Sequence, residues 1–247
     1  MNINKYKYFK YKYKYINYKN TLNYQPGGKK NIDPIEININ NEKYLCIILY
    51  KNGENVQNEA DLGNINLNEY YSNSIIGLYN PKQRLKFNIK YHPNNYFTIF
   101  LLDESKKFIV GLWDGNFNII NNIKYSTDSS GIIIHPKYQK LGICKIFSTK
   151  AFEIMRQIGI QVLCVNNSAK VIGCKCYLQA AENAGFDIYL HDINEGIINI
   201  TKYENVLNNY THICERHFET ARIHNFYIVD KNSKINPNEL STLKCFE

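Results

Sequence analysis

Apolar and polar residues follow two different periods along the chain, and together they predict a sheet that carries helices. Ile35 to Ile39 alternates apolar with polar residues, and Tyr44 to Tyr50 is an apolar run one strand long. Both are predicted as strands, paired in an N-terminal hairpin. Tyr96 to Leu102 and Phe108 to Trp113 flank a polar turn and predict a second hairpin. The polar residues from Asp114 to Lys124 predict a loop after it.

The most informative stretch runs from Ile132 to Gly159. Three β-branched residues lead into His135-Pro136, and the residue before a proline is pushed out of the α region, so a strand ends there. A short polar turn and Gly142 follow. Apolar residues then recur on one helical face, at positions 143, 146, 147, 154, 155 and 158. This pattern predicts a strand, a tight basic loop and an amphipathic helix that ends at Gly159.

The chain continues with alternating strands and helices. Gly159 to Val165 predicts a strand, and the helical spacing over 172–184 predicts a second helix that ends at Gly185. Phe186 to Leu190 predicts a returning strand, and three later segments extend or cover the sheet: 196–201, a helix over 203–218, and 226–230. Residues 51–80 have no clean period, and only 60–76 is a weak helix candidate. The order predicts an α/β fold with a mixed sheet.

The loop before the first helix has features that suit an anionic ligand. The first turn of a helix leaves about four backbone N–H groups without an intrahelical partner, and the helix dipole adds positive charge there. Gly142 lets a ligand approach the backbone, and Cys144 is small enough not to block it. Gln139 adds a donor and Lys140 a cation. A pyrophosphate-binding loop and an ordinary turn with a surface lysine both fit this spacing.

The same residues resemble a known family. Gln139-Lys140-Leu141-Gly142-Ile143-Cys144 resembles the Q/R-x-x-G-x-G/A motif of the GCN5-related N-acetyltransferase (GNAT) superfamily, with Cys144 in place of the usual Gly or Ala. The strand ending at His135-Pro136 resembles the fourth strand of that family, and Gly159 to Val165 the fifth. Residues 180–186 resemble the helix end and the Gly-Phe pair that come next in the family. The resemblance covers roughly Tyr96 to Leu190.

The resemblance implies a single-domain, GNAT-like fold with a mostly antiparallel central sheet flanked by helices. It implies acetyl-CoA as cosubstrate and no metal. It places the backbone contact to the thioester carbonyl at Ile133 and Ile134. The residues expected to bind the cosubstrate are Ile132, Ile133, Ile134, Gln139, Lys140, Leu141, Gly142, Ile143, Cys144 and Lys145.

The resemblance also suggests residues for a general base and a general acid, and each assignment has an alternative. Asp128 corresponds to the glutamate of the histone-acetylating branch of the family, and simple strand alternation puts it on one face with Ile132. Asp128 is therefore the predicted general base. An aspartate that only caps a turn in a loop fits the sequence as well, and His135 is a second candidate for the base. The family's usual general-acid tyrosine position is Ala181 here. Tyr177, one turn earlier on the same helical face, is the predicted substitute, or else a packing tyrosine.

The resemblance also limits the reaction and its partners. It implies direct transfer of an acetyl group from the CoA thioester to a primary amine, on a small molecule or a protein. The acceptors considered are an amino-sugar phosphate such as glucosamine 6-phosphate, a polyamine and a protein amine. The alternative from another class is a catalytically inactive GNAT-fold module that binds CoA or a protein. A homodimer is left open.

Composition bears on two further questions, the nature of the N-terminal residues and the cellular compartment. The net charge of +8 is matched by eight lysines in residues 1–30, where no acidic residue occurs, so the remainder balances to zero. We predict a disordered, dispensable Lys/Tyr-rich tail at 1–30 and an N-acetyltransferase domain at 31–247, with nucleic-acid binding not expected. No signal peptide or apolar run of membrane-spanning length is recognised. Seven scattered cysteines predict reduced thiols and a cytoplasmic protein.

Overall fold

The computed structural model describes residues 35–52, 55–57, 95–103, 108–166, 171–192, 196–200, 214, 225–243 and 245. Within these ranges ten strands form one sheet. They are β1 (Ile35–Ile39), β2 (Glu42–Asn52), β3 (Asn55–Gln57), β4 (Asn95–Asp103), β5 (Phe108–Ile120), β6 (Ile123–Ile134), β7 (Val162–Asn166), β8 (Phe186–Asp192), β9 (Gly196–Asn199) and β10 (Asn225–Asp230). The predicted tail at 1–30, the helix candidate at 60–76 and, apart from Cys214, the predicted helix at 203–218 lie outside the described residues.

The sheet is mixed and mostly antiparallel, as predicted. Its strands follow the order β1-β2-β4-β5-β6-β7-β10-β8-β9, and β3 pairs with β2. The described neighbours run antiparallel, except β6 and β7, which run parallel where Tyr125 lies opposite Val162 and Ser126 opposite Leu163. The ladder between β6 and β7 ends at this second pair, although β6 continues to Ile134. The sheet therefore opens between these two strands toward the end of β6.

The prediction of a loop from Asp114 to Lys124 is wrong. β5 continues to Ile120 and β6 begins at Ile123, so only Asn121 and Asn122 form the turn. Both asparagines have positive φ, 50° and 65°, as the two central residues of a tight hairpin turn require. Asparagine tolerates this backbone conformation better than most residues. β5 and β6 thus form a long hairpin.

Two helices pack on one face of the sheet. α1 (Ile143–Gln157) and α2 (Val171–Asn183) are each followed by a glycine with positive φ, Gly159 at 80° and Gly185 at 81°, as predicted. Of the predicted apolar stripe of α1 only Ile146 is exposed, at 37%. The remaining stripe residues join the largest core cluster, together with Tyr177, Leu178, Ala181 and Ala184 at the end of α2.

Aromatic rings form the centre of this core. Trp113 of β5 is fully buried, and its ring lies 5.0 Å from those of Phe152 on α1 and Tyr177 on α2. Phe152 also contacts Phe186, the first residue of β8, at 5.2 Å. Burial of each large apolar side chain contributes about 1.5–3 kcal/mol, so these rings hold both helices against the sheet.

Four of the seven cysteines are paired, which corrects the prediction of reduced thiols. Cys164 on β7 is bonded to Cys245 near the C-terminus, and Cys174 on α2 to Cys214. Leu240, Leu243 and Cys245 also pack on the face of the sheet opposite the helices. The sequence carries no framework spacing for these bridges because their partners are 81 and 40 residues apart. In the described part of the chain, no helix has both the length and the apolar character to cross a membrane.

Arg156 ties three elements together at the end of α1. Its Nε donates to Asp230 Oδ1 of β10 at 2.9 Å, and its terminal nitrogen donates to the carbonyl oxygens of Ala184 and Gly185 at 2.5 and 3.1 Å. The guanidinium also lies 4.7 Å from the ring of Phe186. The Asp230 side chain is only 9% exposed, so loss of the arginine would leave a carboxylate in a poorly hydrated place.

Arg156→Met is therefore expected to lower the free energy of unfolding by about 2–3 kcal/mol. This loss of stability is smaller than the loss expected for a fully buried ion pair, because the arginine side chain is 30% exposed. Lys150→Met is the matched control, since the side chains of its ion pair with Glu153 are 36% and 38% exposed and the pair should be worth less than about 0.5 kcal/mol. Urea unfolding of both variants measures the difference, and equal stabilities would contradict it.

Lys124 is a buried cation on β6. It is 5% exposed, and its Nζ donates to the Ile158 carbonyl oxygen at 2.9 Å and to the Tyr50 hydroxyl. The Nζ also lies 4.0 Å from the centre of the Phe117 ring. Burial disfavours the charged ammonium and lowers its pKa to about 7.

This burial predicts a dependence of stability on pH. The lysine titrates near pH 10.4 in the unfolded chain, so between about pH 7 and 10 the unfolded state binds more protons than the native state. The unfolding free energy of the wild type should therefore rise with pH in this range, relative to Lys124→Met, by up to a few kcal/mol, since each pKa unit corresponds to about 1.4 kcal/mol. Urea unfolding at pH 6.5, 8 and 9.5 measures this. Parallel pH profiles for the two proteins would contradict it, and Lys150→Met provides the control with an exposed lysine.

Candidate functional site

The loop between β6 and α1 is anchored before it reaches Gly142. After Ile134, residues Pro136–Tyr138 form one turn of 3-10 helix, with proline at a position that needs no N–H donor. The Tyr138 hydroxyl donates to Asp103 Oδ2 at 2.8 Å, and its ring is buried. The buried contact to β4 fixes where the rest of the loop begins.

Gln139 braces the loop against the strand. Its Nε2 donates to the Ile134 carbonyl oxygen at 2.9 Å. The sequence predicts Gln139 as a donor to the cosubstrate, and the structure shows that one of its amide hydrogens is already used to hold the loop. The side chain therefore positions the backbone that follows.

The backbone turns into α1 through two residues with positive φ, Lys140 at 66° and Gly142 at 76°. Gly142 is the N-cap of α1, and a Cβ placed on it would meet no atom within 4 Å. The space in front of it is open, while the positive φ favours glycine. Asn40 of the β1–β2 turn donates from Nδ2 to the Leu141 carbonyl oxygen at 3.2 Å, which holds the loop from the other side.

The N-terminus of α1 has the electrostatics of an anion site. No side chain caps it and no acidic residue lies in its first turn. The exposed lysines Lys137 and Lys140 precede it in the loop, and the exposed Lys145 lies in its first turn. Ile143 is 1% exposed and packs in the largest core cluster, which fixes the start of the helix. Uncapped amides, the helix dipole and three cations together favour a pyrophosphate.

The backbone at the end of β6 presents N–H groups to the opening beside β7. His135 N donates to the Val110 carbonyl oxygen of β5 at 2.8 Å, and Ile133 lies opposite Leu112 of the same strand. Since backbone groups alternate in direction along a strand, the amides of Ile132 and Ile134 point away from β5, and that of Ile133 points toward it. Of the two residues predicted to contact the thioester carbonyl, Ile134 directs its amide toward the opening and Ile133 does not, and the contact itself stays a prediction.

Asp128 lies in β6, not in a loop, and its backbone is opposite Asn116. The pairing of β5 with β6 shifts between Trp113 and Gly115, and again between Asn116 and Phe117. Such bulges break the two-residue alternation of side chains. Simple alternation therefore does not carry from Ile132 to Asp128, and the role of Asp128 stays a prediction.

The other catalytic candidates are core residues. Tyr177 is 8% exposed and packs against Trp113 and Phe152, in agreement with the packing alternative, and Ala181 is fully buried. His135 is also buried, its Nδ1 accepts from Lys137 N at 3.3 Å, and burial, with the nearby Lys137 charge, lowers its pKa. The imidazole is therefore neutral at neutral pH and helps to shape the loop.

Sequence reasoning missed one pair of residues at the site. Cys144, the second residue of α1, lies with its Sγ 2.7 Å from Cys176 Sγ on α2. In the sequence, Cys144 stands out only because it replaces the usual Gly or Ala of the motif. A contact between two helices leaves no local signal that could have joined them. Among the described residues, no cluster of three His, Cys, Asp or Glu side chains could hold a metal ion.

Comparison with known proteins gives solved structures only. No family model and no curated protein matches the chain. The spermidine N-acetyltransferase from Vibrio cholerae in complex with CoA and spermine is 16% identical over 75% of this chain and 95% of its own, with a TM-score of 0.38. The ribosomal-protein-S5-alanine acetyltransferase from Vibrio fischeri is 12% identical over 83% of this chain and 100% of its own, with a TM-score of 0.41.

A GNAT family acetyltransferase from Staphylococcus aureus is 20% identical over 52% of this chain and 90% of its own, with a TM-score of 0.34. The structure has the mixed, mostly antiparallel sheet and the strand–loop–helix unit that the sequence predicts. Each of these three solved structures is an acetyltransferase, and the one from Staphylococcus aureus belongs to the GNAT family that the motif of this chain resembles.

Proposed function

We propose that this protein is an acetyl-CoA-dependent N-acetyltransferase that acts on a primary amine. The observation that carries the proposal is the uncapped N-terminus of α1 behind Gly142, placed beside the open edge of β6. The first feature suits the pyrophosphate of CoA, and the second offers N–H donors to a thioester carbonyl. Acetyl-CoA supplies the activated acetyl group.

Each group of this chain then has a defined task. The amides of Ile143, Cys144 and Lys145, with Lys137 and Lys140, hold the pyrophosphate. The amide of Ile134 or Ile132 stabilises negative charge that develops on the carbonyl oxygen during attack by the amine. Asp128 accepts the proton that the amine loses, directly or through water. Tyr177 gives a proton to the departing thiolate.

Release of free thiol from acetyl-CoA in the presence of different amines tests this activity. The panel contains glucosamine 6-phosphate, spermidine, a lysine-containing peptide and a peptide with a free N-terminal alanine. Amine-dependent thiol release supports the proposal, and the amine with the highest kcat/KM defines the acceptor class. Tight CoA binding without thiol release for any amine would favour the second candidate.

The second candidate function is an inactive module that binds CoA. It is favoured by Ala181, which stands at the family's usual tyrosine position, and by the burial of Tyr177 among core rings. Since a thiolate is able to leave unaided, loss of the acid would slow the reaction without abolishing it. The thiol-release measurement therefore separates the two functions.

Tyr177→Phe tests the acid directly. The substitution keeps the ring contacts with Trp113 and Phe152 and removes only the hydroxyl. If Tyr177 protonates the thiolate, kcat should fall about tenfold to a hundredfold with CoA affinity unchanged. A decrease in stability with full turnover would assign the tyrosine to packing alone. Thermal unfolding and initial rates on the same preparation measure both.

We also propose a cytoplasmic location and leave a homodimer as an untested prediction. The argument from reduced thiols no longer supports this location, because Cys164–Cys245 and Cys174–Cys214 are disulfide-bonded. Fluorescence imaging of the tagged protein in its source cells tests the location.

A further inference from the structure

Cys144 and Cys176 form a thiol pair across two helices. Their sulfur atoms are 2.7 Å apart, and neither belongs to one of the two disulfides. Both side chains are half-buried, unlike Cys46, the remaining free cysteine, which is 1% exposed. Two thiols at this separation need little motion of the helices to become bonded, and reagents reach them more easily than they reach Cys46.

The environment makes the two thiols unequal. Cys176 donates a hydrogen bond to Cys144, and this bond, together with a smaller contribution from Ser148, lowers the pKa of Cys144 to about 7 against the opposing effect of burial. The same contact and burial raise the pKa of Cys176. The N-terminus of α1 further favours a thiolate at Cys144, its second residue. Cys144 is thus the nucleophile of the pair and Cys176 holds the proton.

We propose that Cys144 and Cys176 are a reversible dithiol–disulfide site that small-molecule disulfides oxidise. The Cys144 thiolate attacks one sulfur of the reagent, such as glutathione disulfide, whose S–S bond breaks and releases one thiol. Cys176 then loses its proton and attacks the Cys144 sulfur, which releases the second thiol. Two protein thiols are oxidised and one small disulfide is reduced to two thiols.

Oxidation changes the charge at the helix N-terminus. The Cys144 thiolate is a negative charge in the first turn of α1, beside the amides that face an anion. The disulfide removes this charge and joins the start of α1 to α2. This consequence rests on the proposed function, and it predicts that the oxidised protein binds CoA about twofold to tenfold more tightly than the reduced protein at pH 8.

The test of the pair uses the full chain and does not depend on CoA. The protein is treated with glutathione disulfide, the remaining thiols are alkylated, and the products are mapped by peptide mass spectrometry. We expect the wild type to lose two hydrogens in a Cys144–Cys176 bond with Cys46 still free. Cys176→Ser should instead keep glutathione on Cys144, because the second attack is removed, and Cys46→Ser should behave like the wild type.

Three results would overturn the proposal: a lasting glutathione adduct on Cys144 of the wild type, no reaction at Cys144, or a bond between Cys176 and Cys174. Calorimetric titration with CoA then tests the consequence, with Cys144→Ser as a variant that lacks the charge without a disulfide. Equal CoA affinities of the oxidised and reduced protein would refute the effect of oxidation on CoA binding. The peptide map would still decide whether Cys144 and Cys176 form a disulfide. Failure of both forms to bind CoA would refute the proposed function alone.

Discussion

Gly142→Glu is expected to weaken CoA binding at least about a hundredfold, or ~3 kcal/mol. The new carboxylate would enter the open space in front of the N-cap of α1, where the amides and lysines favour a ligand of the same negative charge. The positive φ of this position, 76°, also adds a strain of about 1–2 kcal/mol for any residue with a Cβ. Calorimetric titration with CoA measures the loss.

Two controls separate the causes of this loss. Gly142→Ala adds the backbone strain without the charge and should cost stability more than affinity. Gly173→Glu adds the same charge on α2, at an exposed position where a Cβ also meets no atom within 4 Å, and should bind CoA like the wild type. A folded Gly142→Glu protein with wild-type affinity would show that the pyrophosphate lies elsewhere.

Asp128→Asn is expected to lower kcat about a hundredfold to ten-thousandfold, which corresponds to ~3–5 kcal/mol of barrier. The amide keeps the size of the side chain and removes its basicity, so CoA affinity should be unchanged. The deficit should shrink as the pH approaches the pKa of the acceptor amine, since a neutral amine has no proton to lose before it attacks. Initial rates from pH 6.5 to 9.5 measure both effects.

Asp187→Asn is the control for this substitution. It makes the same change on β8, and β7 and β10 lie between β8 and β6 in the sheet. The Asp187 carboxylate oxygen Oδ1 lies 3.7 Å from Lys231 Nζ. The turnover of Asp187→Asn should equal that of the wild type. If Asp128→Asn also turns over at the wild-type rate near neutral pH, the base is another group or the amine arrives deprotonated.

Several elements could be predicted because their signals are local. The β-branched run before His135-Pro136 predicts the end of β6, and the apolar spacing after Gly142 predicts α1. Gly159 and Gly185 predict the ends of both helices, which the structure confirms through their positive φ. In each case the backbone preference of one residue, or the period of a few, is sufficient.

The sequence does not predict the long β5–β6 hairpin because several of its polar residues are buried. Asp114, Asn116 and Lys124 are 2%, 6% and 5% exposed, although their polarity indicates a loop. Lys124 is stabilised by the hydroxyl of Tyr50, 74 residues earlier. Sequence alone does not show that a buried polar side chain will find such a partner.

Local residue patterns are sufficient to predict the strand–loop–helix unit and the place of Gly142 in it, and they carry the resemblance to the GNAT superfamily. Tertiary structure decided the register shifts beside Asp128, the direction of the Ile132 and Ile134 amides, the two disulfides and the contact of Cys144 with Cys176. Local residues set backbone angles and hydrophobic periods. Which groups meet across strands and helices depends instead on how distant segments pack, and no short stretch of sequence carries that information.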